Sequence, residues 1–170
     1  LKKIISGVEI PTVNIISKEL HFFNKKLDFP QTMAVKKAMD AESIAIIQGP
    51  PGTGKTNVII EIILQILKEN KVTKTGVFHC CPQNRELIKE GLKLGFYISF
   101  AGPITFKNSK NAEEMINLVP NDRILIETDS PYLAPEPVRG TRNTPANVKY
   151  IAQKIADVKG LTLEEVEKIT

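Results

Sequence analysis

From Ile44 to the end of the chain, short apolar runs alternate with amphipathic stretches, and this alternation constrains the fold more than any single motif. The runs IAIIQG, GVFHC, FYISFAG and RILIETD read as four strands. Between and after them lie NVIIEIILQILKEN, RELIKEGLKLG, NAEEMINLV and NVKYIAQKIADVKG, with LTLEEVEKI behind the last. Successive parallel strands need a crossover, which a helix supplies, so the pattern predicts βαβ units. Helix ends are marked as well. Gly95 and Gly160 sit where a left-handed C-terminal residue is wanted, and Thr162 with Glu165 reads as a capping box. Upstream, Val8 to Ile16 surrounds Pro11 and reads as an edge strand or hairpin, Lys18 to Lys26 as a weak amphipathic helix, and Gln31 to Asp40 as a firmer one.

In the helix that follows the first strand, the polar residues Asn57, Glu61, Gln65, Lys68 and Glu69 recur every three or four positions. They form one narrow polar stripe on a helix otherwise covered by its surroundings. Composition agrees with a core of this kind: 170 residues, 42% hydrophobic and 25% charged, exclude disorder, collagen and small disulfide scaffolds. The net charge of +4 permits only weak attraction to nucleic acid. The two cysteines, Cys80 and Cys81, are adjacent and cannot form an ordinary bridge with each other. With no membrane span and no signal-peptide pattern, a cytoplasmic setting is expected.

The segment GPPGTGKT, Gly49 to Thr56, joins the apolar strand Ile44 to Ile47 to the polar-striped helix, which is the setting a P-loop requires. Gly49, Gly52 and Gly54 let backbone N–H groups curl around an anion, with Thr53 among them. Lys55 would reach the β and γ phosphates, and the Thr56 hydroxyl would ligate Mg²⁺. An unliganded strand-to-helix turn is the plain alternative. This region resembles the first motor lobe of superfamily 1 DNA/RNA helicases. LDFPQTMAVKKAM is similar to the adenine-recognising Q motif with Gln31 as its glutamine, IIQGPPGTGKT to motif I, and CPQN to a later strand-end motif. The acidic pair and later arginine motifs of a helicase are absent from the sequence, so ATP and Mg²⁺ binding with little or no hydrolysis is the expectation.

From about Lys74 onward the chain resembles the C-terminal part of the TatD family of metal-dependent deoxyribonucleases, which are TIM barrels. GVFHC, LGFYISFAGPITFKN, ILIETDSPYLAP and RGTRNTPANVKYIAQKIA carry the likeness. It implies that His79 and Asp129 belong to a metal centre at the carboxyl ends of the strands. Glu127 lies on the same side of its strand as Asp129 by the period of two. The remaining ligands implied by the resemblance have no counterpart, and two protein ligands are fewer than a catalytic zinc site holds. A further divalent metal is therefore not expected, and His79 reads equally as a satisfied strand end. Arg139 and Arg142 read as solvated charges with a phosphate contact as the alternative, and Tyr132 and Phe96 as packing residues.

Together these resemblances make the chain a mosaic, chimeric or recombinant, joined near residues 70 to 75. It is one α/β domain over residues 1–170, with an N-terminal extension over 1–29, a helicase-like segment over 30–73 and a TatD-like segment over 74–170. Four parallel strands cannot close an eight-stranded barrel. The expected architecture is an open, doubly wound, mainly parallel sheet with helices on both faces, three-layered in the P-loop or Rossmann manner, and a half-barrel that closes by dimerising is the alternative. An open sheet would put Gly49 to Thr56, His79 and Asp129 on one edge, where Glu127 or Asp129 could complete a Mg²⁺ shell. Three function classes follow: a nucleotide-binding module, a residual metal-dependent nuclease, and a folded protein without activity.

Overall fold

The structure is a computed structural model that describes residues 19–41, 45–69 and 75–170. It divides into two compact units, Leu1–Lys71 and Val72–Thr170. The expected hairpin over residues 8–16 lies outside the described residues. Among the described residues, no helix is long and apolar enough to cross a membrane.

The first unit packs helix α1 (Phe29–Met39) against helix α2 (Lys55–Glu69). Helix α1 starts at a capping box. Asp28 accepts from the Gln31 N–H at 2.9 Å, and the Gln31 side chain accepts from the Asp28 N–H at 3.0 Å. Pro30 fits the first turn, where its missing N–H costs no hydrogen bond. Residues 19–26 form no helix, contrary to expectation.

The middle of the polar stripe of α2 does not face water, whereas Asn57, Lys68 and Glu69 are exposed. Glu61 is fully buried and Gln65 nearly so, while Ile59 and Ile66 are close to half exposed. The reason is backbone satisfaction: Glu61 accepts from the N–H groups of Phe23 and Asn24, both at 2.9 Å. Gln65 donates to the His21 carbonyl and to Glu61. An irregular segment can pack on a helix only when its N–H and C=O groups find partners.

The second unit is a run of parallel βα elements. Strands β1 (Val77–Phe78), β2 (Tyr97–Phe100) and β3 (Ile124–Ile126) form a sheet in sequential order, with Phe78 opposite Ile98 and Ile98 opposite Ile124. Helix α3 (Arg85–Lys93) connects β1 to β2, and α4 (Ala112–Leu118) connects β2 to β3. Helices α5 (Val148–Lys159) and α6 (Leu163–Ile169) follow. Strand β2 is buried on both faces, Ile98, Ser99 and Phe100 all being at most 3% exposed, as a central parallel strand should be. Ile124, Leu87, Ile88, Met115, Ile116, Ile151 and Ile155 complete the core with at most 2% exposure.

Two expectations are corrected here. The sheet has three strands among the described residues, not four: Ala45–Ile47 form no strand, and Ile46 is 88% exposed. A doubly wound sheet also requires its strand order to reverse at a switch point. The order β1-β2-β3 shows no reversal, and right-handed crossovers between sequential neighbours put their helices on one face. What stands is an α/β fold with helices and a small parallel sheet.

Predicted helix ends hold. Gly160 adopts φ +65° and Gly95 φ +76°, and Thr162 and Glu165 form the expected capping box. Asn84 of the CPQN stretch caps α3 by accepting from the Leu87 N–H at 2.9 Å. Phe96 packs edge-on against Phe78 at 5.3 Å, whereas Tyr132 is 75% exposed and is no core residue.

Candidate metal centre

The parallel ladders end where the polar residues begin. The Cys81 N–H donates to Ser99 O at 2.9 Å beyond β1, and the Glu127 N–H donates to Phe100 O at 3.0 Å beyond β3. These bonds carry His79 and Glu127 to strand ends on either side of β2, on the carboxyl side of the sheet, the face on which βα barrels place their chemistry.

There His79 Nε2 lies 2.5 Å from Glu127 Oε2 and 3.3 Å from Asp129 Oδ1. One donor atom from each of the three residues falls within a 4.8 Å cluster. The carboxylates are mostly covered, at 16% and 18% side-chain exposure, while His79 is 70% exposed. The imidazole thus opens to solvent, and the anions are held from behind. Glu127 also accepts from the Cys80 N–H through its other oxygen.

Backbone strain concentrates at the same place. Cys80, Asp129 and Leu133 adopt φ of +42°, +53° and +52°. Aspartate tolerates the left-handed region, but a non-glycine residue held there costs on the order of 1–3 kcal/mol and persists only where surrounding contacts enforce it. Both cysteine thiols beside the cluster are pushed up to about 12. Burial is the main cause for each; Asp129 and Glu127 then add to it at Cys80, and Glu127 at Cys81. They stay neutral, hydrogen-bearing groups at ordinary pH. Arg139 stacks on Phe106 at 4.0 Å and lies 3.9 Å from Glu136, so its guanidinium braces a loop. Arg142 is exposed.

All three residues expected at a metal centre are therefore brought together, and Glu127 raises the donor count to three, the number of protein ligands in catalytic zinc sites. The expected nucleotide residues lie in the other unit and are engaged locally. Gln31 is spent on the α1 cap and donates to Thr53 O at 3.1 Å. Lys55 Nζ donates to the carbonyls of Gly49 and Pro50, each at 2.7 Å, and Thr53 Oγ1 donates to Pro50 O. Gly52 and Gly54 have positive φ, and Thr56 lies in the first turn of α2. Sequence reasoning missed the capping role of Gln31, although Asp28 to Gln31 spells the D-x-x-Q pattern. It also gave no role to Asn143, which the structure buries.

Comparison with known proteins corrects the functional expectation. The profile described as TatD-related DNase matches residues 60–170. The uncharacterized metal-dependent hydrolase YabD of Bacillus subtilis is 48% identical over 111 residues, covering 65% of this chain and 44% of the relative. The uncharacterized metal-dependent hydrolase YcfH of Escherichia coli K12 is 49% identical over 108 residues, covering 63% and 41%. In fold, the chain resembles YjjV, a TatD homologue of Escherichia coli K12, with a TM-score of 0.59 at 21% identity, covering 65% of this chain and 42% of that one. A TatD-family hydrolase from Entamoeba histolytica gives 0.52, covering 68% and 45%. The chain thus spans less than half the length of these relatives.

The match begins at residue 60, inside α2, so a seam at residues 70 to 75 between a helicase segment and a nuclease segment is not supported, nor is a chimeric origin. The relatives are metal-dependent hydrolases, which overturns the reading of an ATP-binding, helicase-like P-loop module and removes ATP as its cofactor. The expectation that no further divalent metal is involved falls with it, since the relatives depend on metal and three donors converge here. Over residues 60–170, the larger part of its length, the chain belongs to the TatD-related DNase family.

Proposed function

We propose that this chain carries part of a divalent-metal centre that hydrolyses phosphodiester bonds in DNA, and that its three strands are an arc of a βα barrel rather than half of a doubly wound sheet. The single observation that carries the reading is the convergence of His79, Glu127 and Asp129 at the carboxyl ends of β1 and β3. The donor set fits a divalent cation: one imidazole nitrogen and two carboxylates offset its charge, and both are ordinary zinc and manganese ligands.

In this reading His79 would bind through Nε2, and Glu127 and Asp129 through the oxygens that face it. When bound, the ion supplies Lewis-acid stabilisation of the charge that develops on a phosphoryl oxygen. The chain's own groups orient the site. The Cys80 N–H fixes one oxygen of Glu127, leaving the other for the centre. Exposure of His79 leaves the open side to substrate. Outside the cluster, the neighbouring loops carry Lys107, Lys110, Arg139 and Arg142 against Glu136 alone, a balance that suits a polyanionic strand.

Calorimetric titration with Mn²⁺ and Zn²⁺, followed by an assay on a short DNA duplex with and without EDTA, tests the reading. It expects metal binding in the wild-type chain, abolished in Asp129→Ala, and cleavage that chelation stops. Absence of binding in the wild type, or cleavage indifferent to EDTA and to Asp129→Ala, would reject it.

A further inference from the structure

We infer that Asn143 is the positioning residue of this centre, a buried clasp that sets the direction of the Glu127 and Asp129 carboxylates without touching either. The inference rests on the metal-centre reading for its purpose and on the following geometry for its mechanism.

Asn143 is 2% exposed, one of four buried polar residues among those described, and the only one in the segment after β3. Its side-chain amide donates twice, to Thr128 O at 2.6 Å and to Tyr132 O at 2.7 Å. Its side-chain carbonyl accepts twice, from the Thr144 N–H and from Asn147 Nδ2, both at 2.9 Å. Its backbone N–H donates to Pro131 O at 3.0 Å. One side chain therefore ties the 128–132 loop to the start of α5.

Thr128 is the residue between the two carboxylates. Fixing its carbonyl fixes the peptide plane that leads into Asp129, whose φ of +53° the chain would otherwise leave. Tyr132 is held at the far end of the same turn, where its N–H donates to Asp129 O at 2.8 Å. The two clasped carbonyls thus bracket Asp129. A side chain offering two donors and two acceptor sites in one plane is what this position requires. Aspartate has the same shape but supplies no donor, and serine is too short to reach both carbonyls.

The variants Asn143→Asp and Asn143→Ser, with Asn147→Ala as control, test this in the full chain. The control removes a hydrogen bond to the clasp and leaves both loop contacts in place. Without metal, amide hydrogen exchange across residues 127–133 should rise about tenfold or more in the Asn143 variants and little in the control. With Co²⁺, the visible spectrum should change and the affinity fall about 10–100-fold, as for other outer partners of metal ligands, while the control keeps the wild-type spectrum. Unchanged exchange in the Asn143 variants, an equal rise in the control, or complete unfolding of both Asn143 variants would overturn the positioning role. The expected exchange pattern in a wild-type chain that binds no Co²⁺ would sustain the clasp and reject the metal-centre reading instead.

Discussion

His79 Nε2 sits 2.5 Å from Glu127 Oε2, although the two residues are 48 positions apart in sequence and come from the ends of non-adjacent strands, with β2 between them. Such a pair, next to the Asp129 carboxylate, is a good trap for a divalent cation and a poor place for two bare anions.

The first prediction follows from linkage. A metal bound by the folded but not the unfolded chain stabilises by about 2.7 kcal/mol at one hundred times Kd. Differential scanning calorimetry should show Zn²⁺ raising the unfolding temperature of the wild type and EDTA reversing the shift. His79→Ala should remove most of the shift and change the metal-free unfolding temperature little, because the imidazole is largely exposed.

A second prediction concerns the support under the site. A Cβ on Gly102 would collide with the Leu133 carbonyl, in the loop that also leans on Thr105, where the Glu136 N–H donates to Thr105 Oγ1 at 2.9 Å. Backbone cannot yield as a flexible side chain does, so Gly102→Ala should cost about 1–3 kcal/mol. Denaturant unfolding checks this: a midpoint unchanged from wild type would show that the close approach is not needed.

How much of this was legible from sequence depends on how local the signal was. The helices of the second unit and their ends followed from periodicity and caps, as Gly160 and Thr162 show. The members of the metal cluster were legible in part: His79 and Asp129 came from the family resemblance and Glu127 from the period of two, but a count of two protein ligands argued against a metal, because sequence spacing does not show that Glu127 turns toward His79. The GPPGTGKT motif misled because eight residues fit a loop pattern whose proof is the strand before it, and Ala45–Ile47 form none. The stripe of α2 misled for another reason: periodicity marks a polar face without saying whether it meets water or the backbone of residues 21–24. Asn143 was hidden because its four partners are backbone and side-chain groups that no spacing rule connects.

The buried carboxylate of the first unit yields a third prediction. Removing Glu61 leaves the N–H groups of Phe23 and Asn24 without their acceptor, at about 1–3 kcal/mol for each buried donor left unpaired. Glu61→Ala should therefore release residues 21–24, seen as rapid proteolysis at Lys25 and Lys26. The exposed substitution Ile59→Ala on the same helix should leave the cleavage pattern unchanged.

The last prediction is a pH dependence. Hydrogen bonds from the Thr162 backbone N–H, then from its hydroxyl, hold the Glu165 carboxyl below its usual range. The folded chain thus binds this proton less readily than the unfolded one, and the cap contributes its full stability above the unfolded value near 4.5. That contribution fades as pH falls through the lowered folded value, where both states become protonated. Thr162→Ala removes the hydroxyl and keeps the backbone donor, so its unfolding temperature should lie below wild type at neutral pH, and on acidification below the ordinary carboxylate range the gap should narrow only by the share that the hydroxyl-to-carboxylate bond contributes. Because Glu165 is fully exposed, salt should shrink the pH-dependent part of the gap while leaving the part due to the Thr162 hydroxyl cap on the Glu165 N–H. A gap that stays constant from neutral pH to well below the carboxylate range would mean that the bond from the Thr162 hydroxyl to the capping carboxylate contributes nothing beyond its neutral form.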